Sequence, residues 1–411
     1  MVNIVNKKNS CVAFGVFDGV HKGHIAIIER LARESLEAGL APVLLRLVFS
    51  PPSSFGRRGY LTPGGEADSL IECAWRSALA RAGGDVRCVD CNVRGSDSGD
   101  SSGGGGANYE LEIVTAVITP ADANINPEQF IERFPVGMLG AKIIVAGENC
   151  RFGHGGGADS GGGDSSGGGG GGVGTLLALS EKFNYIPVIV KAERSRTLFS
   201  VQHSKEAAEH GCEIENSEVA GAMSAAALSV GALSAGTMSV GALSAGAMSA
   251  GVYSSGGIIE SDSIRRALSD KNIELANDML GCRYSLRGEV VAGKALGRGS
   301  NMPTANILVP PDKFLPAHGV YVTVSRVNGA EYHSLTNIGT RPTVDDSDSV
   351  TIESHLLDFT GDLYSQTMEI ELHRYIRGIR RFGSLDEVRA QVDSDIIQAR
   401  SYFRSVLRQD V

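Results

Sequence analysis

Two histidines three residues apart, set among glycines, are the first feature of the chain able to do chemistry: Gly15-Val16-Phe17-Asp18-Gly19-Val20-His21-Lys22-Gly23-His24. A short apolar run, Cys11-Val12-Ala13-Phe14, precedes them. A buried strand that ends in glycines and opens into a helix gathers free backbone N–H groups and the positive end of a helix dipole, which is where a phosphate can sit. His21 and His24 fall on one face of the first helical turn, and each can donate a ring N–H to a phosphate oxygen. Charge is then stabilised without a covalent intermediate. A tight turn with two solvated histidines is the plainer alternative.

Two further groups lie far down the chain. Thr304 and Asn306, two apart on an extended segment, point their oxygens the same way. Such a pair suits Mg²⁺, which takes one or two protein ligands and fills its shell with phosphate and water. Alternation in Thr351-Ile352-Glu353-Ser354-His355 puts Glu353 on the face opposite Ile352, beside Thr351 and His355. Without further context these are ordinary polar residues on strand faces.

Elements must place these groups. Ile25, Ile28, Leu31, Ala32 and Leu36 form the apolar stripe of a helix that Gly39 stops, and residues 43–49 read as a strand. Thr62 and Pro63 read as the cap and first position of a helix that carries Leu70, Ile71, Ala74, Trp75 and Leu79, with Trp75 in the core. Strands are expected over 111–118, 141–146 and 187–190, and helices over 127–134, 176–183 and from 259 onward. Beyond residue 284 the pattern changes to short alternating strands over 320–325, 331–338, 350–359 and 367–372, with Asn328-Gly329 as a type I′ turn. A terminal helix begins with the capping box Ser384 to Glu387 and presents Leu385, Val388, Val392, Ile396, Ala399 and Phe403 to the barrel that those strands would form.

At 411 residues two domains are expected. A formal net charge of -9 speaks against nucleic acid or an anionic membrane surface as the main partner, while leaving room for a local nucleotide pocket. The first residues lack the apolar run of a signal peptide, and seven irregularly spaced cysteines fit reduced thiols, so a cytoplasmic location is expected. Cys88 and Cys91 form a CxxC with no second pair or histidine partner nearby, so no metal is assigned there. Three stretches read as low-complexity insertions, near 95–107, 155–174 and 219–257. The third belongs to a run, 219–259, that carries no charge and contains seven five-residue units of the kind Gly231-Ala-Leu-Ser-Ala; a mobile loop, a short solenoid and a membrane span are its alternatives.

Phe17-Asp18-Gly19-x-His21-x-Gly23-His24 resembles the signature of the HxGH nucleotidyltransferases, in particular the adenylyltransferase half of bacterial bifunctional riboflavin kinase/FAD synthetases. Gly297-Arg298 followed by Pro303-Thr304-Ala305-Asn306 resembles the riboflavin kinase signature of the same family, with Asn301-Met302 in place of Gly-Phe. The implied fold is a Rossmann-like α/β nucleotidyltransferase domain over 1–278, then a small antiparallel β-barrel kinase domain with a C-terminal helix over 279–411. Residues 277–284 resemble the linker between the halves.

The resemblance also implies roles. In the first half Gly15, Phe17, Asp18, Gly19, His21, His24, Ser261 and Arg265 would hold ATP, the two histidines also acting in catalysis, while Asn149 and Phe152 would meet the flavin. In the second half Gly297 and Arg298 would hold ATP, Thr304 and Asn306 the Mg²⁺, Arg377 and Phe382 the flavin, and Glu353 would be the base. Asn337 to Thr343 also matches a family stretch near the kinase site. The implied activities are phosphorylation of riboflavin to FMN with Mg-ATP and adenylylation of FMN to FAD with release of pyrophosphate. Cys150 stands where the family pattern has an aromatic residue. Glu260 and Asp262 stand where it has hydroxyls, and Pro52 occupies the place of a histidine in Phe49-Ser50-Pro51-Pro52. A riboflavin kinase with an inactive first domain, or a flavin or nucleotide sensor without turnover, are the alternatives. Oligomeric state is left open.

Overall fold

The computed structural model describes residues 9–50, 59–83, 109–120, 122, 124–153, 170–195, 198–199, 252–253, 257–291, 304–340 and 350–407. The expected insertion over 95–107, most of the other two, the CxxC, Gly297 and Arg298 lie outside the described residues, while the end of the second, residues 170–174, leads into a helix.

Strand β1 (Ser10–Gly15) is the axis of the first half. Cys11, Val12 and Ala13 are fully buried because both sheet faces are covered: Val12 and Phe14 pack with Phe130, Ile144 and Leu176, and Cys11 and Ala13 with Ile28, Leu31 and Trp75. Helix α1 (Lys22–Ala38) follows and stops where Gly39 adopts φ 63°, as its composition predicts. β2 (Ala41–Phe49) returns parallel to β1. α2 (Gly64–Arg81) starts later than the sequence implies, with Pro63 at the N-cap position. Thr62 does not cap it, because its hydroxyl accepts from Gly19 N–H at 2.8 Å.

β3 (Glu112–Ile118) pairs with β2. α3 (Pro127–Ile131) opens with an Asn126 capping box and runs on as a π-helix over Glu132–Met138, four residues past the expected end. Pro135 cannot donate an α-helical bond, and the wider turn leaves Gly137 so close to Glu132 O that a Cβ would lie 2.5 Å from it. β4 (Ala141–Gly147), α4 (Val173–Phe183) and β5 (Ile186–Val190) complete an all-parallel sheet of order β3-β2-β1-β4-β5. The order reverses between β1 and β4, so the crevice for a ligand opens beyond Gly15 and Gly147.

The chain divides into two compact units, Ser195–Gly257 by itself and the remainder. In the former, β6 (Leu198–Phe199) and β7 (Val252–Tyr253) pair antiparallel. In the latter, α5 (Ser261–Ser269) and α6 (Ile273–Leu280) lead to a closed barrel: β8 (Tyr284–Val291), β9 (Ala305–Leu308), β10 (Gly319–Val327), β11 (Ala330–Thr340), β12 (Val350–Leu356) and β13 (Thr367–Arg377), ordered β10-β11-β12-β9-β8-β13. Residues 277–284 are no loose linker. Asn277 is buried inside α6, accepts from Tyr284 N–H at 2.7 Å and donates to Leu372 O at 2.9 Å, fastening the helix end to the barrel.

Asn328 and Gly329 both take positive φ, 51° and 77°, which the type I′ turn demands. β10 is buried on both sides. Val320, Val322 and Val324 lie under Ala399 and Phe403 of α7 (Leu385–Leu407). Tyr321, Thr323 and Ser325 face inward, where Thr323, Ser325, Ser334, Thr336 and Ser354 satisfy one another at 2.8–3.2 Å. The expected cap is present in altered form: Ser384 accepts from Glu387 N–H at 3.2 Å, and Glu387 reaches Gly383 N–H at 2.9 Å. Among the described residues no helix is long and apolar enough to cross a membrane.

Candidate active sites

After Gly15 the chain makes an unusual loop: Phe17, Gly19 and Val20 have φ of 49°, 88° and 40°. Positive φ is costly for a β-branched residue such as Val20, and such strain persists only where surroundings enforce it. They do so through Asp18, whose buried carboxylate accepts from Leu61 N–H at 2.7 Å and Thr62 N–H at 3.2 Å and pairs with the Arg265 guanidinium. Ser261 Oγ donates to Asp18 O at 2.8 Å. Arg265 also donates to Gly59 O at 3.0 Å and Asp262 Oδ1 at 2.8 Å. Two segments distant in sequence, 59–62 and 261–265, therefore converge behind the loop. Replacing Arg265 by methionine strands the Asp18 charge and is expected to cost about 3 kcal/mol in urea unfolding; a loss below about 1 kcal/mol would contradict this account of the loop.

His21 sits at the N-cap position of α1 and His24 in its first turn. Their rings stack with centroids 3.8 Å apart and planes 20° apart, and the Phe17 ring lies 4.9 Å from His24. Gly23 makes room, since a Cβ there would sit 3.1 Å from the His21 ring. The Nδ1 atoms of both are buried without a hydrogen-bond partner. Burial pushes His21 down to about 4; burial and the neighbouring His21 hold His24 well below its ordinary value. Both are neutral near pH 7.

The unfolded chain takes up a proton at His21 below about pH 6.5 that the folded chain refuses until about 4, so stability falls as pH falls through that window. His21 alone is expected to remove about 2 kcal/mol between pH 7.5 and pH 5. Urea titrations should show a shallower acid slope for His21→Gln; equal slopes would contradict the burial argument.

The second site is a row across three strands. Antiparallel register sets Asn306 of β9 opposite Glu353 of β12, and Glu353 opposite Asn337 of β11. Their inward-facing neighbours Ala305, Ile307, Ile352 and Ser354 are buried, so the row lies on the outer barrel face, as alternation implies. Thr304 is exposed just before β9, two residues from Asn306. Among the described residues no group of three or more His, Cys, Asp or Glu could hold a metal. The oxygen donors here, one hydroxyl and one amide carbonyl, fit a hard cation that completes its shell from phosphate and water.

A family profile described as riboflavin kinase matches residues 280–403, and one described as FAD synthetase matches residues 3–62. A protein of Pseudomonas fluorescens named bifunctional riboflavin kinase/FMN adenylyltransferase is 24% identical over 404 residues, covering 97% of this chain and 95% of its own. The chain is thus similar to riboflavin kinases over its last third and to FAD synthetases over its first sixty residues. Relatives of the same name from Escherichia coli (strain K12) and Listeria monocytogenes are 41% and 35% identical over 150 and 145 residues, which are 36% and 35% of this chain. Those matches span about half of the relatives, 47% and 46% of their lengths. A crystal structure titled macrolide-efflux protein, from Streptococcus pneumoniae, has a TM-score of 0.60 at 21% identity over 97% of this chain and 96% of its own, a likeness of fold.

Against the family pattern, the placement of the remaining expected residues is mixed. Ser261 and Arg265 lie beside the loop as expected, but their polar atoms are directed at Asp18, Gly59 and Asp262. Glu260 and Asp262, the two carboxylates in hydroxyl positions, are both engaged: Glu260 caps α5 and accepts from Asn149 Nδ2 at 2.9 Å, and Asp262 pairs with Arg265. Asn149 is exposed on the loop after β4, whereas Phe152 is buried against Phe14 and Phe130 and anchors that loop from below. Arg377 grips the buried Asp395 of α7 with Nε and Nη2 at 2.8–3.2 Å, and Phe382 lies 5.9 Å from the guanidinium. A cavity of about 290 Å³ runs between Glu29, Arg30 and Arg33 of α1 and Val190 and Lys191 at the end of β5; none of the expected site residues lines it.

Sequence patterns gave no sign of the 59–62 bracket around Asp18, of Asp395 or of the hydroxyl cluster inside the barrel. Asn337 had a signal, in the family stretch that begins with it.

Proposed function

We propose that the chain carries out two consecutive ATP-dependent reactions, phosphorylation of riboflavin to FMN at the barrel and adenylylation of FMN to FAD at the parallel sheet. Two arrangements in one chain support the proposal: the stacked histidines with unpartnered Nδ1 atoms at the sheet's switch point, and the Asn306–Glu353–Asn337 row on the barrel. The family's printed names join the same two activities.

At the barrel, Glu353 accepts the proton of the flavin 5′-hydroxyl while that oxygen attacks the γ-phosphorus and the bond to ADP breaks. Thr304 and Asn306 would hold Mg²⁺, which offsets the charge on the transferring group. Gly297 and Arg298 complete the nucleotide contacts, and Arg377 and Phe382, beside α7, stand toward the flavin.

At the sheet, an oxygen of the FMN phosphate attacks the α-phosphorus and pyrophosphate leaves with the electron pair. His21 and His24, neutral, donate ring N–H groups to phosphate oxygens, joined by the backbone of Gly15 to Gly19. Ser261 and Arg265 act by holding Asp18 and through it the loop, Asn149 meets the flavin nucleotide, and Phe152 supports that contact from the core. Neither reaction needs a protein nucleophile, since positioning and charge do the work. Free thiols at Cys11, Cys73, Cys150 and Cys282 support a reducing compartment, and we place the protein in the cytoplasm.

The reading of a kinase with an inactive first half rests on Glu260, Asp262 and the histidine missing from Phe49-Ser50-Pro51-Pro52; both carboxylates are engaged within the protein, and residues 51 and 52 lie outside the described residues. Purified protein given FMN and Mg-ATP is expected to produce FAD, followed by chromatography with fluorescence detection. FMN formation from riboflavin without FAD formation from FMN would reduce the function to the kinase alone.

A further inference from the structure

The segment that holds Asp18 is itself held by the other half of the chain. Residues 312–314, a few positions beyond Asn306, run alongside residues 59–61: Tyr60 N–H donates to Asp312 O at 2.6 Å, and Phe314 N–H to Tyr60 O at 2.7 Å. Gly59 fits there at φ 104° only because it lacks a Cβ, which would lie 2.7 Å from Asp312 O. Between these contacts Lys313, buried, sends Nζ to Leu61 O at 2.7 Å and Glu66 Oε2 at 3.2 Å, and it lies 4.8 Å from the Tyr284 ring centroid. Leu61 C=O and Thr62 N–H belong to one peptide group, and that N–H donates to Asp18. A cation on the carbonyl polarises the peptide and strengthens its N–H as a donor.

We propose that Lys313, carried by the kinase half, is a positioning residue for nucleotidyl transfer in the other half. It fixes the 59–62 bracket, the bracket fixes Asp18, and Asp18 fixes the Phe17–Val20 loop that sets the histidine pair. The lysine touches no reacting atom. Its burial is offset by a carbonyl, a carboxylate and an aromatic face, three partners for one ammonium that no surface role requires. Burial pushes its pKa down while Glu66 pulls it up. The inference rests on the proposed FMN adenylyl transfer for its kinetic consequence, but its structural consequence can be read without any activity.

Lys313→Met in the full chain is the test. FAD formation from FMN is expected to lose at least tenfold in kcat with KM for ATP changed less than threefold, and FMN formation from riboflavin to stay within twofold. Hydrogen exchange of the amides in residues 15–24 and 59–62 is expected to quicken at least tenfold, with β10 and β11 unchanged as the internal control. Unchanged exchange at 15–24 overturns the proposal whether or not the wild-type protein makes FAD. Wild-type protein that makes no FAD, together with quickened exchange in the variant, refutes adenylyl transfer and leaves the positioning role standing. Should Lys313→Met fail to fold, Lys313→Gln, which keeps a donor without the charge, carries the same comparison. Equal loss of both activities, with β10 exchanging faster, would mark Lys313 as a general fold contact and overturn the proposal.

Discussion

Replacing Glu353 by glutamine is expected to slow formation of FMN from riboflavin about 10²- to 10⁴-fold, with nearly all of the loss in kcat. Glutamine keeps the shape and the hydrogen-bonding reach of the side chain but cannot take the proton of the attacking hydroxyl. Glu353 sits between Asn306 and Asn337 on the outer face of the barrel, so the substitution disturbs none of the buried residues beneath it. Unfolding free energy should change by less than about 0.5 kcal/mol. Conversion of FMN to FAD by the same variant should stay within twofold of wild type, because the histidine pair belongs to another site. A loss of less than tenfold in FMN formation would remove Glu353 from the role of base.

The second large effect concerns His21 and His24. Substitution of either by alanine is expected to lower FAD formation about 10²- to 10³-fold, the range for losing one preorganised donor to a developing charge. The rings are stacked on each other, so the double variant should be little worse than the weaker single one; residues that act as a unit do not add. FMN formation should be unaffected. The sign of the pH dependence follows from burial. Burial holds His21 down at about 4 and His24 well below its ordinary value, so both imidazoles are neutral across the physiological range. Log kcat for FAD formation should show no acid limb between pH 5.5 and 8 that disappears in the alanine variants. A limb near pH 6.5 that depends on His21 would mean that the imidazolium is the working form.

The parts of this molecule that were legible in the sequence are those whose physics is local. Gly15 to His24 forms its loop and helix start within ten residues, and Gly39 and Asn328-Gly329 announce their positive φ by composition. Alternation placed Asn306 and Glu353 on strand faces correctly, but not opposite each other, because that pairing depends on the register of two strands about fifty residues apart in sequence. It also separated the valine and hydroxyl faces of β10 without saying which lies inside. Both are buried, one by the barrel and one by α7.

The contacts that hold the first loop were not legible at all. Arg265 meets Asp18 across 247 positions, and Lys313 meets Leu61 across 252. No periodicity or cap carries information over such distances. The misplaced start of α2 has the same origin: Thr62 looks like a local cap, but Gly19 claims its hydroxyl from 43 residues away. The partners of Ser261 and Arg265 were equally out of reach. As a motif they read as direct phosphate grips, and in the fold their donors point at Asp18 and Gly59.

On the proposed function, one chain transfers different phosphorus atoms of ATP at two places. Labelled ATP separates them most directly: protein is given riboflavin and Mg-ATP carrying phosphorus-32 either at the γ or at the α position, and the flavins are resolved by chromatography. The γ label should enter FMN and persist in FAD, and the α label should enter FAD alone. Failure of the γ label to enter FMN, or of the α label to enter FAD, would contradict the two-site account.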